Sequence, residues 1–216
     1  MLVAIDGPAG AGKSTVARAL AQRLGYTYLD SGAMYRCVAL AALQAGGGSV
    51  SRLSGALSEL ASTIAIGFLA NGADGAPSRV LLDGRDVSEE IRTPKVSEAA
   101  SLVAVDPDVR AALVAKQQEL IATGNWVVEG RDIATVVAPH AELKVFLTAS
   151  PHERARRRAT ELGADPNAML AEQTLRDERD STLGRSTLTP APGATVVDTT
   201  GLTLEQAVER IAALLP

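Results

Sequence analysis

The stretch LVAIDGPAGAGKST, Leu2 to Thr15, constrains the fold more than any other part of the chain. Residues Gly7 to Ser14 match the pattern G-x-x-x-x-G-K-[ST] in full. An apolar run precedes the match, and Val16, Leu20 and Leu24 come after it at helical spacing, with Gly25 as a stop signal. Strand, glycine loop and helix in that order make a phosphate loop. Glycines let backbone N–H groups turn inward around phosphate oxygens, and the helix N-terminus adds a partial positive charge. Lys13 can reach the β- and γ-phosphates, and the Ser14 hydroxyl can ligate Mg²⁺ carried by the nucleotide. The expected ATP contacts are Gly7, Pro8, Ala9, Gly10, Ala11, Gly12, Lys13, Ser14 and Thr15. No N-K-x-D stretch occurs, so the guanine reader of switch GTPases is missing. A chain of 216 residues is short for a motor domain, so a small kinase is favoured.

Strand and helix signals alternate along the rest of the chain. Short apolar runs stand at Tyr26 to Leu29, Trp126 to Val128, Leu143 to Leu147 and Thr195 to Val197. Helical patterns occur at 33–45, 50–62, 94–104, 107–123, after Ser150, at 166–183 and at 204–215. Thr93-Pro94, Asp106-Pro107 and Ser150-Pro151 read as N-caps before a proline at the first helical position. This alternation predicts an α/β fold with a parallel sheet covered on both faces. Residues 63–87 break the rhythm: Ile64 to Leu69, Val80 to Leu82 and Arg85 to Val87 read as short strands joined by turns, a small antiparallel insert.

Net charge of −4 and a pI near 5.3 argue against a protein that coats nucleic acid. The single cysteine, Cys37, excludes an intrachain disulfide. The opening MLVAID reads as a strand rather than a leader, and no apolar run of about 20 residues suggests a membrane span. A cytoplasmic location is the expectation.

Charged residues stand where ligands would. Trp126 to Val128 ends in Glu129-Gly130-Arg131-Asp132, and charges are costly to bury without partners. In a parallel α/β sheet, ligands sit beyond the carboxyl ends of the strands, so this tip faces the site. In a second GRD, Gly84 to Asp86, Arg85 and Asp86 follow the Asp83-Gly84 turn, where a plain hairpin reading suffices. Arg154, Arg157 and Arg158 stand at i, i+3 and i+4 on one helix face, while Arg156 points elsewhere. Arginine forks suit phosphate, and a solvated basic helix face would look the same. Arg176 and Asp180 are also four apart, as in a surface ion-pair ladder.

The stretches IDGPAGAGKST, LDSGAMYR, GRDVSEEIRTPKVSEAAS, VVEGRDIATVVAP, FLTASPHERARRR, RDERDST and VVDTT together resemble the bacterial cytidylate kinase family, which phosphorylates CMP and dCMP with ATP. The resemblance implies a P-loop nucleoside monophosphate kinase fold: a five-stranded parallel core at about 1–30, 105–150 and 190–216, an NMP-binding region with its insert at about 31–104, and a helical lid at about 151–189. It implies that Ser101, Arg110 and Asp132 contact the cytosine ring, and that Arg176 and Asp180 hold the ribose hydroxyls. Arg36 and Arg131 would bind the acceptor phosphate, with Ser31 beside it. Lys13, Arg131, Arg154 and Arg158 would act on the transferred group, and Arg157 on ATP. Mg²⁺ with ATP is the implied cofactor, CMP or dCMP the partner substrate, and a monomer the expected state. Glu129 either holds a metal-bound water or orients Arg131.

Two positions depart from that family. Leu183 stands where its D-S-T-R motif has a phosphate-binding arginine, and Arg185 is the proposed substitute. Ala134 replaces a glycine after GRDI, which leaves the course of that loop open. The rival readings are a P-loop kinase for UMP, AMP or a shikimate-like alcohol, and a non-catalytic nucleotide-binding module.

Overall fold

The computed structural model describes residues 1–53, 55–69, 79–182 and 189–215; of Leu53, Arg176 and residues 179–182 it describes the backbone only. The chain divides into two compact units, Met1–Thr27 with Gly124–Pro216, and Tyr28–Thr123.

The first unit carries the strands β1 (Leu2–Asp6), β6 (Trp126–Glu129), β7 (Leu143–Thr148) and β8 (Thr195–Asp198). With β2 (Thr27–Asp30), they form a five-stranded sheet in the order β2-β6-β1-β7-β8. β1 lies parallel to both β6 and β7, pairing Ala4 with Val128 and with Lys144, and β7 lies parallel to β8. A strand covered on both faces needs apolar residues at nearly every position, and all five residues of β1 are buried. The helices of this unit are α1 (Lys13–Leu24), α6 (Pro151–Leu162), α7 (Pro166–Thr182) and α8 (Leu204–Ala212). Ser150 caps α6 by accepting from the Glu153 N–H at 3.3 Å. A reciprocal capping box, Thr203 with Gln206, starts α8.

After Asp132, where the sequence left the course of the loop open, the chain makes a single π-helical turn, Ile133–Val137. Such turns are rare and concentrate at functional sites.

The second unit holds α2 (Ser31–Ala45), α3 (Leu57–Thr63), α4 (Pro94–Val103) and α5 (Pro107–Ile121), with an antiparallel sheet of β3 (Ile66–Leu69), β4 (Arg79–Leu82) and β5 (Arg85–Asp86) in sequence order. That sheet is the insert expected from the turn-rich stretch. The core of this unit includes Met34, Val38, Ile91, Val103 and Leu113, all fully buried. Three sequence expectations change here. The helix expected over 50–62 is divided into a 3₁₀ turn, Val50–Leu53, and α3; Gly55 lies in the break, where a helix interior would cost about 1 kcal/mol. Helix α2 starts at Ser31 rather than Ala33, because Asp30 accepts from the Ala33 N–H and makes the intervening residues its first turn. Thr93 precedes α4 without capping it: its hydroxyl donates to the Glu90 carbonyl at 3.1 Å, an acceptor supplied by the preceding 3₁₀ turn. Asp106 does cap α5, accepting from Asp108 and Val109 N–H groups.

Cys37 lies on α2 with no exposed surface, and burial pushes its thiol up to about 12. The reactive form is the thiolate. Folded protein at neutral pH is therefore expected to resist an aromatic disulfide reagent, and denatured protein to release one equivalent of its chromophore. Rapid native labelling would contradict the packing of α2.

Candidate active site

The phosphate loop is built on glycine. A Cβ on Gly7 (φ +148°) would collide with the Leu147 carbonyl oxygen, and one on Gly10 (φ +77°) would lie 2.7 Å from Gln173 Nε2 and 3.0 Å from Arg154 Cβ. Strand β7 and helices α6 and α7 thus close around the loop from outside. Cations take its carbonyls. Lys13 Nζ donates to Pro8 O at 2.9 Å, Arg154 Nη1 to Ala9 O at 3.0 Å, and Arg157 Nη1 to Ala11 O at 3.3 Å. A trans peptide points its N–H opposite to its C=O. The N–H groups of Gly10 and Gly12 therefore point away from the Arg154 and Arg157 donors, and inward-turned N–H groups of this kind are what a phosphate cradle uses. Helix α1 starts just beyond, on Gly12, with no side-chain cap competing for its first N–H groups.

The basic helix is divided by function. Arg154, 7% exposed, also pairs with Asp177 of α7 at 2.8 Å. Arg157 donates to Glu153, to the Thr199 hydroxyl at 3.0 Å and to the Thr199 carbonyl at 2.7 Å. Arg158 instead pairs with Glu161 and Arg156 with Glu153, both guanidinium groups being exposed. Only two of the three arginines expected on one face reach the loop. Glu153 receives Arg156 and Arg157, and their hydrogen bonds hold its carboxyl below the usual range.

Ser14 donates its hydroxyl to Glu129 Oε1 at 2.7 Å, and Glu129 is 5% exposed. The two residues expected near the metal thus meet each other. Arg131 and Asp132 lie in the arch between β6 and the π-helical turn, both half-buried. Asp132 occupies the N-cap position of that turn without capping it. Asp6 does so instead: its two carboxylate oxygens accept from the N–H groups of Ile133 and Ala134, each at 2.8 Å.

In the second unit, Arg36 Nη2 donates to Asp30 Oδ2 at 2.8 Å. Asp30 is therefore both helix cap and arginine partner. A Cβ at Gly32 would sit 3.2 Å from Asp30 Oδ1 and 3.5 Å from Arg36 Nη1, so the glycine leaves room for this clasp. Ser31 is buried at the start of α2. Ser101 lies exposed on α4, donating to Ser97 O at 3.4 Å, and Arg110 lies half-buried on α5. Arg176 and Asp180 fall on α7 at i and i+4, with their side chains outside the description, and Leu183 and Arg185 lie outside the described residues.

Sequence reasoning missed Asp6, Asp30, Thr199, Gln173 and Asp177. Asp6 and Asp30 each end a strand beside a motif, a signal that was available. The other three reach the loop or its arginines only through tertiary packing.

The family model for cytidylate kinase matches residues 3–216. The chain belongs to the cytidylate kinase family. Cytidylate kinase membership makes it a nucleoside monophosphate kinase. It is 50% identical over 216 residues to the cytidylate kinase of Pelotomaculum thermopropionicum, covering 98% of this chain and 94% of that protein. It is 45% identical to that of Symbiobacterium thermophilum, with the same coverage. A crystal structure of an uncharacterized protein from Eubacterium ventriosum shares the fold, with a TM-score of 0.56 at 12% identity over 100% of this chain and 98% of that one.

Proposed function

We propose that this kinase transfers the γ-phosphoryl group of ATP to CMP and dCMP, with the acceptor read by Arg131 and Asp132 at the tip of β6. The observation that carries the reading is the shared placement of the phosphate loop and this tip: β1 runs into the loop, β6 pairs with β1, and Ser14 touches Glu129. An acceptor that is already a phosphate needs little general-base help. Positioning and charge neutralisation then do most of the work.

Lys13 holds the donor phosphates and follows charge onto the transferred group. Arg154 and Arg157 set the loop by holding its carbonyls, and Arg154 also acts on the transferred group. Arg36 and Arg131 bind the acceptor phosphate, with Ser31 beside Arg36. Asp30 orients the Arg36 guanidinium, as the 2.8 Å pair supports. Ser101, Arg110 and Asp132 read the base, Arg176 and Asp180 the ribose, and Arg185 replaces the arginine absent at Leu183. Helices α6 and α7 act as the lid, and Arg158 on the outer face of α6 joins the site only when that lid closes. The hard oxygen donors Ser14 and Glu129 suit Mg²⁺ that arrives with ATP: Ser14 as a direct ligand, Glu129 through water. Bound there, the ion would neutralise phosphate charge. Among the described residues no helix is long and apolar enough to cross a membrane.

The test is ADP formation in a coupled assay across CMP, dCMP, UMP, AMP and shikimate. CMP and dCMP are expected to have the highest kcat/KM. A preference for UMP, AMP or shikimate, or no turnover with any, would overturn the reading.

A further inference from the structure

The arch that holds Arg131 and Asp132 has two feet, and both stand on the end of β1. Gly130 N donates to Ile5 O at 3.0 Å before the arch. Ile133 N and Ala134 N donate to the two oxygens of Asp6 after it. Asp6 is 5% exposed and is the last residue before the phosphate loop. An aspartate at an N-cap position ordinarily turns its own carboxylate back onto the first N–H groups of the turn. Asp132 does not do this. The distant carboxylate of Asp6 has taken over the capping.

We infer that Asp6 is a positioning residue for acceptor recognition: by capping the π-helical turn it fixes the Arg131–Asp132 arch against the strand that carries the phosphate loop. The inference rests on the reading that Arg131 and Asp132 bind the nucleoside monophosphate. Two charge-assisted hydrogen bonds from one carboxylate leave the arch little rotational freedom. Donor and acceptor subsites then share a single strand end, so the distance between them is set by covalent geometry at Asp6-Gly7 as much as by packing. Burial raises the Asp6 carboxyl, and the two N–H groups and nearby Lys13 oppose that, with Asp132 the nearby like charge. The group is held by the arch, not exposed for proton transfer. Ala134 fits this scheme, since the bond uses its backbone N–H and not its side chain.

The experiment uses Asp6→Asn in the full chain. An amide keeps the shape but turns one NH₂ toward an N–H, so one of the two caps is lost. KM for CMP is expected to rise by about tenfold or more, the effect of losing a hydrogen bond to a charged group, while KM for ATP stays within about twofold because the bonds to the loop carbonyls are untouched. Arg131→Ala is measured alongside. A raised KM for CMP in Arg131→Ala but not in Asp6→Asn overturns the role of Asp6 and leaves the acceptor reading standing. An unchanged KM for CMP in Arg131→Ala and in Asp132→Ala overturns the acceptor reading itself. Should Asp6→Asn fold poorly, amide exchange in the unaltered protein decides. The Ile133 and Ala134 amides are expected to exchange as slowly as those of β1 and β6 without CMP, and fast exchange there overturns the inference.

Discussion

Lys13→Ala is expected to lower kcat for CMP phosphorylation by about 10²- to 10³-fold, the cost of removing one preorganised donor from developing charge in a transition state. Thermal stability should barely change. Lys13 is the first residue of α1, and its ammonium donates to the Pro8 carbonyl within the same loop. The loop keeps its shape from other sources: Gly7 against Leu147, Arg154 on Ala9 and Arg157 on Ala11. Saturation with ATP should not rescue the rate, because the lost interaction grows along the reaction path. Arginine should not substitute well, since a planar fork cannot occupy the place of a compact ammonium inside a tight loop. Steady-state rates at saturating ATP and CMP measure this directly. A kcat within tenfold of the parent would remove Lys13 from the chemistry.

The contrast between Lys13 and Arg154 shows where sequence reading reaches its limit. The lysine was legible because its motif is contiguous: strand, loop and helix are local, and the glycines mark the turn between them. The parallel sheet was legible because buried strands show as apolar runs, and the antiparallel insert because turn residues break the rhythm. Arg154, Arg157 and Arg158 were legible as a helix face but not as individuals. Helical spacing gives direction to within a broad arc. It does not tell which guanidinium meets a loop carbonyl and which meets Glu161 in solvent. That choice depends on Asp177 and Thr199, which lie 23 and 42 positions further along the chain from Arg154 and Arg157. The π-helical turn was hidden for a related reason. IATVV has the composition of a strand, and the carboxylate of Asp6, 127 residues before Ile133, is what caps it as a turn.

The two GRD tripeptides make the same point in a form that can be tested. Asp132→Ala is expected to reduce kcat/KM for CMP by about 10- to 10²-fold, the range for a lost charge-assisted hydrogen bond, with ATP affinity nearly unchanged. Use of UMP should fall much less. Cytosine offers an amino group that a carboxylate accepts, whereas uracil presents a carbonyl there, so removing Asp132 takes away attraction in one case and repulsion in the other. The ratio of CMP to UMP use should therefore collapse. Asp86→Ala should leave both kinetic constants alone. Its carboxylate is spent locally, accepting from the Ser88 N–H at 3.0 Å and the Ser88 hydroxyl at 2.7 Å, and those bonds hold it below its usual range. It ends the two-residue edge strand β5, with the ion partner Arg79 at 3.7 Å. Identical tripeptides thus receive opposite assignments because their places in the fold differ. Asp86 ends an edge strand of the insert and accepts from Ser88, while Asp132 follows β6, the strand paired with the one that runs into the phosphate loop. Retention of the full cytosine preference in Asp132→Ala would show that the base is read elsewhere, with Arg110 and Ser101 the remaining candidates.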